Sequence, residues 1–307
     1  MAVTTRPQID LTSRLVQRVL SVKPLANFAK SRARAMMIKR AETIGVPWRD
    51  NVRQLRDRDW SEELAQIENP QLEYPKYYQT SFHAYETGNL SWLAAWEVES
   101  ASRAVHAKIW SKGDVRGDAM LRQSYHQALR TRVTNPQTIL DLGCGIGMST
   151  QALQQNYPQA QITGVDLSPY FLAVAQYRAA QQTESSAKIQ WLHAAAESTG
   201  LSDRSCDLVS SSLVFHELPA GAALAVIAEA RRLLRSGGHL SIMDMNPGSE
   251  IFSSMPPYVL TLLKSTEPYL DSYFSLDLER ALIDAGFATP AVINNSPRHR
   301  TIVARAV

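Results

Sequence analysis

The stretch Ile139–Thr150, "ILDLGCGIGMST", decides how the rest of the chain reads. Its first residues form a short apolar run of the kind that makes a buried strand. A glycine-rich turn follows, and Met148 opens a helix. That order holds a nucleotide. The dinucleotide fingerprint is G-x-G-x-x-G. Here Gly143, Gly145 and Gly147 fall at every second position, and Met148 stands where the third fingerprint glycine belongs. The loop is related to that fingerprint and departs from it.

Downstream of about residue 137 the pattern alternates. "AQITGVDL" is a second strand and "SPYFLAVAQYRAAQ" a second helix. "AKIQWLHA" and "CDLVSSSLV" are the third and fourth strands. "AGAALAVIAEARRLL" is a long helix expected to close at Gly237–Gly238, before a fifth strand, "HLSIMDM". A further helix, "LDLERALIDAGF", precedes "ATPAVINN" and "RHRTIVARA", which read as a closing hairpin. Strands separated by helices imply a parallel sheet covered on both faces. The expected fold is α/β: a doubly wound, mostly parallel seven-stranded sheet with a closing antiparallel hairpin, plus an N-terminal helical cap. The expected division is residues 1–130 for the cap and 131–307 for the core, with residues 246–275 inserted as a lid.

Upstream the pattern is helical. Leu11, Leu15, Val16, Val19 and Leu20 make one apolar stripe. Leu25, Phe28, Ala29, Ala33, Met36, Met37, Ala41 and Ile44 make a second, expected to pack on the rest of the protein. Residues 74–96, "YPKYYQTSFHAYETGNLSWLAAW", hold an unusual density of aromatics. Such a cluster can wall a ligand pocket. It can equally join two layers of core.

Composition is that of an ordinary globular protein: 45% of the 307 residues are hydrophobic and 20% charged. No apolar run approaches the ~20 residues needed to cross a bilayer, and no secretion signal is seen at the N-terminus. The two cysteines, Cys144 and Cys206, make no disulfide framework and have no metal spacing. A cytoplasmic location is expected, and no metal. Residues 1–60 carry 13 Lys and Arg against 5 Asp and Glu, whereas the remainder carries 19 against 24. A basic segment can serve an anionic partner. The expectation is a solvated helix face, with peripheral membrane contact the less favoured reading and no nucleic-acid partner. Oligomeric state is not legible.

A sheet of this kind binds its ligand at the carboxyl ends of its strands, where strand order reverses. Asp141 sits near the end of the first strand. The second strand ends in Asp166, whose carboxylate suits two adjacent ribose hydroxyls. Both a dinucleotide and S-adenosylmethionine fit that much. In the dinucleotide fold the third glycine permits close packing beside a pyrophosphate, which S-adenosylmethionine lacks. "LDLGCGIG", "GVDLS", and "AAES" with "CDLV", whose Asp207 lies ten residues after Glu197, together resemble the class I S-adenosylmethionine-dependent methyltransferases over residues 130–307.

The resemblance implies cofactor contacts at Gly143, Gly145, Gly147 and Asp166. It implies that Asp141 serves the ammonium directly or through water, and that Leu167 packs on the adenine. The family's Asp-Ala-Glu triplet corresponds to Ala195-Ala196-Glu197, so backbone groups of Ala196, beside Glu197, are left to meet the adenine edge. After the fourth strand the family places the transferable methyl, and "SSLVFHELP" sets His216 and Glu217 there. His216 is the candidate base or positioning residue, and Glu217 is expected to face solvent. Tyr77, Tyr78 and His83 from the aromatic segment, and Asn246, Tyr269 and Tyr273 from the lid, are candidate acceptor-lining residues. The implied activity is methyl transfer from S-adenosylmethionine to a small, aromatic or partly apolar acceptor, with S-adenosylhomocysteine as product. Oxygen, nitrogen and carbon acceptors stay open. A non-catalytic S-adenosylmethionine-binding partner protein, a nucleic-acid methyltransferase and a nicotinamide dehydrogenase are the competing readings.

Overall fold

A computed structural model describes residues 23–83, 85–110, 113–181 and 189–307. The stripe expected over residues 11–20 lies outside the described residues. The sheet has seven strands in the order β3-β2-β1-β4-β5-β7-β6. They are β1 Thr138–Leu142, β2 Gln161–Asp166, β3 Ile189–His193, β4 Cys206–Ser212, β5 Leu234–Met245, β6 Ala291–Ser296 and β7 His299–Arg305. Neighbours among β1 to β5 pair in parallel, whereas β7 runs antiparallel to both β5 and β6. Strand order therefore reverses at β1, between β2 and β4.

The sheet is buried on both faces because apolar residues occupy successive strand positions. Leu140, Val209, Ile242 and Ile302 join one core, with the Ala220–Leu233 helix and Phe215. Their chain neighbours Ile139, Leu208, Met243 and Val303 join the opposite core, with Leu121, Tyr125 and Leu129 of the Gly117–Arg130 helix. Period-two alternation feeding two apolar layers is what a sheet covered on both sides requires.

One boundary differs from expectation. The long helix stops at Leu233, and residues from Leu234 onward are already strand. Gly237 (φ 81°) lies in a shift of register at the start of β5, between the Cys206 and Leu208 pairings of β4. Glycine there serves an irregular strand entry and not a helix end.

Upstream of the sheet are the helices Lys23–Thr43, Trp48–Arg56, Ser61–Ile67, Trp92–His106 and Gly117–Arg130. Trp60, Ala94 and Ala95 pack on Ile146, Phe171 and Val174 of the core. Ile38, Ala41, Val46, Trp48 and Ala104 form a second contact layer. Glu97 is buried there at 1% exposure and accepts from Trp48 Nε1 (3.1 Å), Tyr85 Oη (2.8 Å) and Arg34 Nε (2.9 Å). The expected stripe of the first helix holds only in part. Phe28 and Met36 are exposed, and Ile38, off the stripe, is buried in their place. On the same helix Arg34 pairs with the buried Glu97, which would otherwise be left as an uncompensated buried charge.

Candidate functional site

The three loop glycines all adopt left-handed backbone, φ 69°, 55° and 80° at Gly143, Gly145 and Gly147. A Cβ on Gly143 would come within 2.5 Å of Val214, and one on Gly147 within 2.6 Å of Trp191. Two of the glycines are thus forced by conformation and by space together. Met148 follows as the first residue of the Met148–Asn156 helix and packs against the aromatic layer. Cys144 is buried within the turn, and burial pushes its thiol pKa up, as suits a space-filling residue.

Asp141 lies under this loop. Its Oδ2 accepts from Ser149 Oγ and Thr150 Oγ1, both at 2.7 Å. Its Oδ1 is buried with no partner. Burial raises its pKa to about 6 against those two bonds. A buried acceptor without a donor is costly, and a cationic group above the loop would satisfy it.

Asp166 ends β2. Its Oδ2 accepts from the Gly145 N–H and its Oδ1 from the Ser168 N–H, both at 2.8 Å. Burial still raises its pKa to about 6. The helix that follows is capped by Ser168, whose hydroxyl accepts from the Phe171 N–H at 3.3 Å. Asp166 is therefore not the cap, and its carboxylate retains lone pairs for a ligand. Leu167 is buried beside it, and its carbonyl is 3.0 Å from His193 Nε2. The half-buried Ala196 packs against the main core, next to the isolated bridge of Ala195 with Ser198.

The aromatic segment crosses these strand ends as a strap. Its neighbour Asn69 donates its N–H to His193 Nδ1 at 2.9 Å. Tyr77 donates to Glu197 Oε1 at 2.7 Å, and Tyr78 lies at 3.4 Å from Asp166 Oδ1. Ser168 Oγ donates to the Asn89 carbonyl at 2.8 Å, and Asn89 Nδ2 to Glu217 Oε2 at 3.2 Å. Tyr77 and Tyr78, both half-buried, therefore touch the carboxylates of the cofactor motifs.

The turn after β4 carries His216. Its Nδ1 is 2.7 Å from Asp244 Oδ1 at the end of β5, and its N–H donates to Asp244 Oδ2 at 3.2 Å. Burial opposes its charge, yet Asp244, Glu267 and Glu217 raise its pKa to about 10. Glu217 does not face solvent as expected. Its side chain is 22% exposed and lies 3.6 Å from His83 Nε2. Burial lifts its pKa to about 7, against the attraction of His83 and His216. His83 Nε2 is also 3.1 Å from Glu267 Oε1.

The connection after β5 folds into the helices Glu250–Ser253, Pro257–Thr266 and Leu270–Ser275. It supplies Glu267 and Tyr269, whose ring meets Tyr77 edge-on with centroids 6.4 Å apart. Tyr269 also donates to the Tyr77 carbonyl at 3.2 Å. Tyr273 differs from expectation. It is 1% exposed, donates to the Met245 carbonyl at 2.7 Å, and belongs to the core. Asn246 also stands apart. Its side chain holds the turn through Gly248 N–H (3.1 Å) and bonds Asn294 (3.1 Å) at the far edge of the sheet.

Asp244 and Glu267 were not singled out in the sequence. A carboxylate inside the apolar run "HLSIMDM" was a usable signal for Asp244. Glu267 had none, because its partners come from distant segments.

A doubly wound sheet with this glycine loop and an acidic residue ending the second strand defines a Rossmann-like ligand-binding protein. The chain belongs to the class I S-adenosylmethionine-dependent methyltransferases. The methyltransferase domain model matches residues 140–242. A relative from Synechocystis sp., described as an uncharacterized methyltransferase, is 30% identical over 169 residues, 54% of this chain and 74% of that one. A malonyl-[acyl-carrier protein] O-methyltransferase of Anoxybacillus flavithermus is 37% identical over 95 residues, 31% of this chain and 34% of its own. A trans-aconitate 2-methyltransferase of Yersinia pestis is 48% identical over 60 residues, 19% of this chain and 23% of that one. The chain spans about a third to a half of the length of the first curated relatives it matches.

The fold recurs in a Haemonchus contortus phosphoethanolamine N-methyltransferase crystallised with S-adenosylhomocysteine (TM-score 0.53, 16% identity, 71% of this chain and 60% of that one). It recurs too in a Streptomyces coelicolor geranyl diphosphate C-methyltransferase, also with S-adenosylhomocysteine (TM-score 0.51, 13% identity, 63% and 83%). Among the described residues no helix is long and apolar enough to cross a membrane.

Proposed function

We propose that the protein transfers a methyl group from S-adenosylmethionine to a small acceptor held between the strap, the turn after β4 and the lid helices. One observation carries this reading. His83, His216 and Glu267, from three separate segments, bring ligand-capable atoms within 4.8 Å of one another. Tyr78 of the same strap reaches Asp166, so the acceptor side and the cofactor side share one wall. Residues 1–130 then act as a cap on the 131–307 core, and residues 246–275 as the opposing lid.

The cofactor fits the residues present, because Asp141 keeps a buried oxygen free for an ammonium. Gly143, Gly145 and Gly147 would leave room at the loop, Asp166 would take the ribose, and Leu167, Ala196 and Glu197 would flank the adenine. When bound, the cofactor supplies an already activated sulfonium methyl. The chain's own residues have to align the acceptor and exclude water, which can be worth ~7–11 kcal/mol. His216 is a positioning residue in this reading. An imidazole held at about 10 carries a proton at neutral pH and is poorly placed to accept another. It suits an anionic acceptor oxygen instead. The apolar body of the acceptor lies against Tyr77 and Tyr269. The names of two relatives, which specify a malonyl group and trans-aconitate, support an acid acceptor.

Mass spectrometry of ligand co-purified with the protein, followed by an acceptor screen with methyl-labelled cofactor, tests the reading. Labelled methyl on a small acid is expected. Tight S-adenosylhomocysteine binding with no transfer to any small acceptor would favour a non-catalytic binding protein.

A further inference from the structure

The geometry points to a divalent transition-metal site formed by His83, His216 and Glu267, with Zn2+ the best-matched ion and its open side toward the acceptor. The ion-binding claim stands by itself; only the ion's role, holding an anionic oxygen of the acceptor, rests on the methyltransferase reading.

Four observations converge. First, the three ligand atoms lie within 4.8 Å of one another, and the His83 Nε2 to Glu267 Oε1 separation is 3.1 Å. Tetrahedral Zn2+ with bonds of ~2.0–2.1 Å sets its ligand atoms about 3.3 Å apart. The His83–Glu267 separation already matches, and His216, with its ligand atom no more than 4.8 Å from either, would draw in to close the set.

Second, Glu267 is 7% exposed, and its Oε2 is buried without a hydrogen-bond partner. The ion pair with His83 engages only one of its oxygens. An unpaired buried carboxylate oxygen is costly, and a cation at this point would satisfy it.

Third, the ligands are held in advance. His216 Nδ1 is tied to Asp244 at 2.7 Å, which leaves Nε2 as its ligating nitrogen. A carboxylate behind an imidazole fixes its orientation and raises its basicity, as in many metal sites. His83 has a positive φ of 48°, unusual for a non-glycine residue. Its N–H donates to the Thr266 carbonyl at 3.1 Å, which locks the strained residue beside Glu267. Strain of this sort is held where the surroundings over-determine it and tends to gather at functional sites.

Fourth, the site is closed on one side and open on the other. His216 and Glu267 are buried, whereas the His83 side chain is 35% exposed. That gives an ion a way in and leaves a position for an exogenous oxygen. Glu217 stands 3.6 Å from His83 Nε2 as a second carboxyl beside the site. Two imidazoles and one carboxylate favour Zn2+ and its neighbours over Mg2+ or Ca2+, which take mainly oxygen ligands. With the ion bound, His216 would ligate it as a neutral imidazole, and the ion would take over the acceptor oxygen that the protonated ring suits in metal-free protein.

The test is calorimetric titration of chelator-stripped full-length protein with Zn2+ and, separately, Mg2+, with S-adenosylhomocysteine affinity read in the same samples. About one Zn2+ per chain is expected, with no comparable Mg2+ binding. Glu267→Gln and His83→Ala should each weaken Zn2+ binding about tenfold or more, and Asp244→Asn by ~10–100-fold. Their S-adenosylhomocysteine affinity should stay near that of the parent, which reports a folded protein. Absence of stoichiometric Zn2+ binding overturns the inference, as does Zn2+ binding unchanged in both Glu267→Gln and His83→Ala. Zn2+ binding without S-adenosylhomocysteine binding would sink the methyltransferase reading and leave this site standing. The reverse result would do the opposite.

Discussion

Asp244 Oδ1 lies 2.7 Å from His216 Nδ1, and Asp244 Oδ2 accepts the same residue's backbone N–H at 3.2 Å. One carboxylate thus fixes both the ring and the backbone of the turn that follows β4. Burial by itself would lower the His216 pKa, and Asp244 is first among the groups that raise it to about 10. In chelator-treated protein, Asp244→Asn should bring the imidazole titration down toward its ordinary 6.5, as read by NMR of labelled histidine. A pKa raised on folding contributes stability that is complete below about 6.5. That contribution is lost as pH rises through about 10. The parent should therefore lose more stability than Asp244→Asn between those limits, measured by urea unfolding.

Glu229 behaves in the opposite sense. It accepts from Thr199 N–H at 2.9 Å, Thr199 Oγ1 at 2.6 Å and Arg232 Nε at 2.7 Å. Burial opposes its charge, but Arg232 and Thr199 hold its pKa down at about 2, from 4.5. A depressed pKa gives stability present above 4.5 and lost as pH falls toward 2. Glu229→Gln should cost ~1–3 kcal/mol at neutral pH. It should also flatten the acid limb of the stability curve.

The loop glycines allow a paired test. Gly143→Ala places a Cβ 2.5 Å from Val214 on backbone at φ 69°. It should destabilise the protein by ~1–3 kcal/mol and weaken S-adenosylhomocysteine binding. Gly221 lies in a helix with nothing within 4 Å of an added Cβ. Gly221→Ala should be neutral or stabilise by up to ~1 kcal/mol. Thermal unfolding of the two variants reads both outcomes. Equal effects would mean that the loop conformation carries no special constraint.

Asp166→Ala should weaken S-adenosylhomocysteine binding on the order of 100-fold or more, because two bonds to a charged group are worth ~1.5–3 kcal/mol each. Glu217→Ala, on the acceptor side, should change it far less. If Asp166→Ala binds within about threefold of the parent, its carboxylate serves only the Gly145 and Ser168 amides.

The parts of this site that were legible in the sequence are those fixed by local backbone demands. Gly143, Gly145 and Gly147 must turn the chain, and Asp166 must end β2, so spacing alone exposed them. Strands alternating with helices announced a sheet covered on both faces, and the structure divides Ile139 from Leu140 and Ile242 from Met243 between the two cores. Gly237–Gly238 misled because glycine serves helix ends and irregular strands alike, and only pairing with β4 decides between them. Tyr273 was legible as an aromatic but not as core, since its burial depends on Met245 and on the turn after β4. Glu217 and Glu267 acquire their setting only when the strap, the β4 turn and the lid meet. No window of sequence contains that meeting.

The glycine loop and Asp166 should select S-adenosylmethionine over a dinucleotide. Calorimetric titration of the full chain with S-adenosylmethionine, S-adenosylhomocysteine and NADH tests it most directly. Saturable binding of the first two is expected, with far weaker binding of NADH, because Met148 occupies the place of the third fingerprint glycine. NADH bound as tightly as S-adenosylhomocysteine, or more tightly, would contradict it.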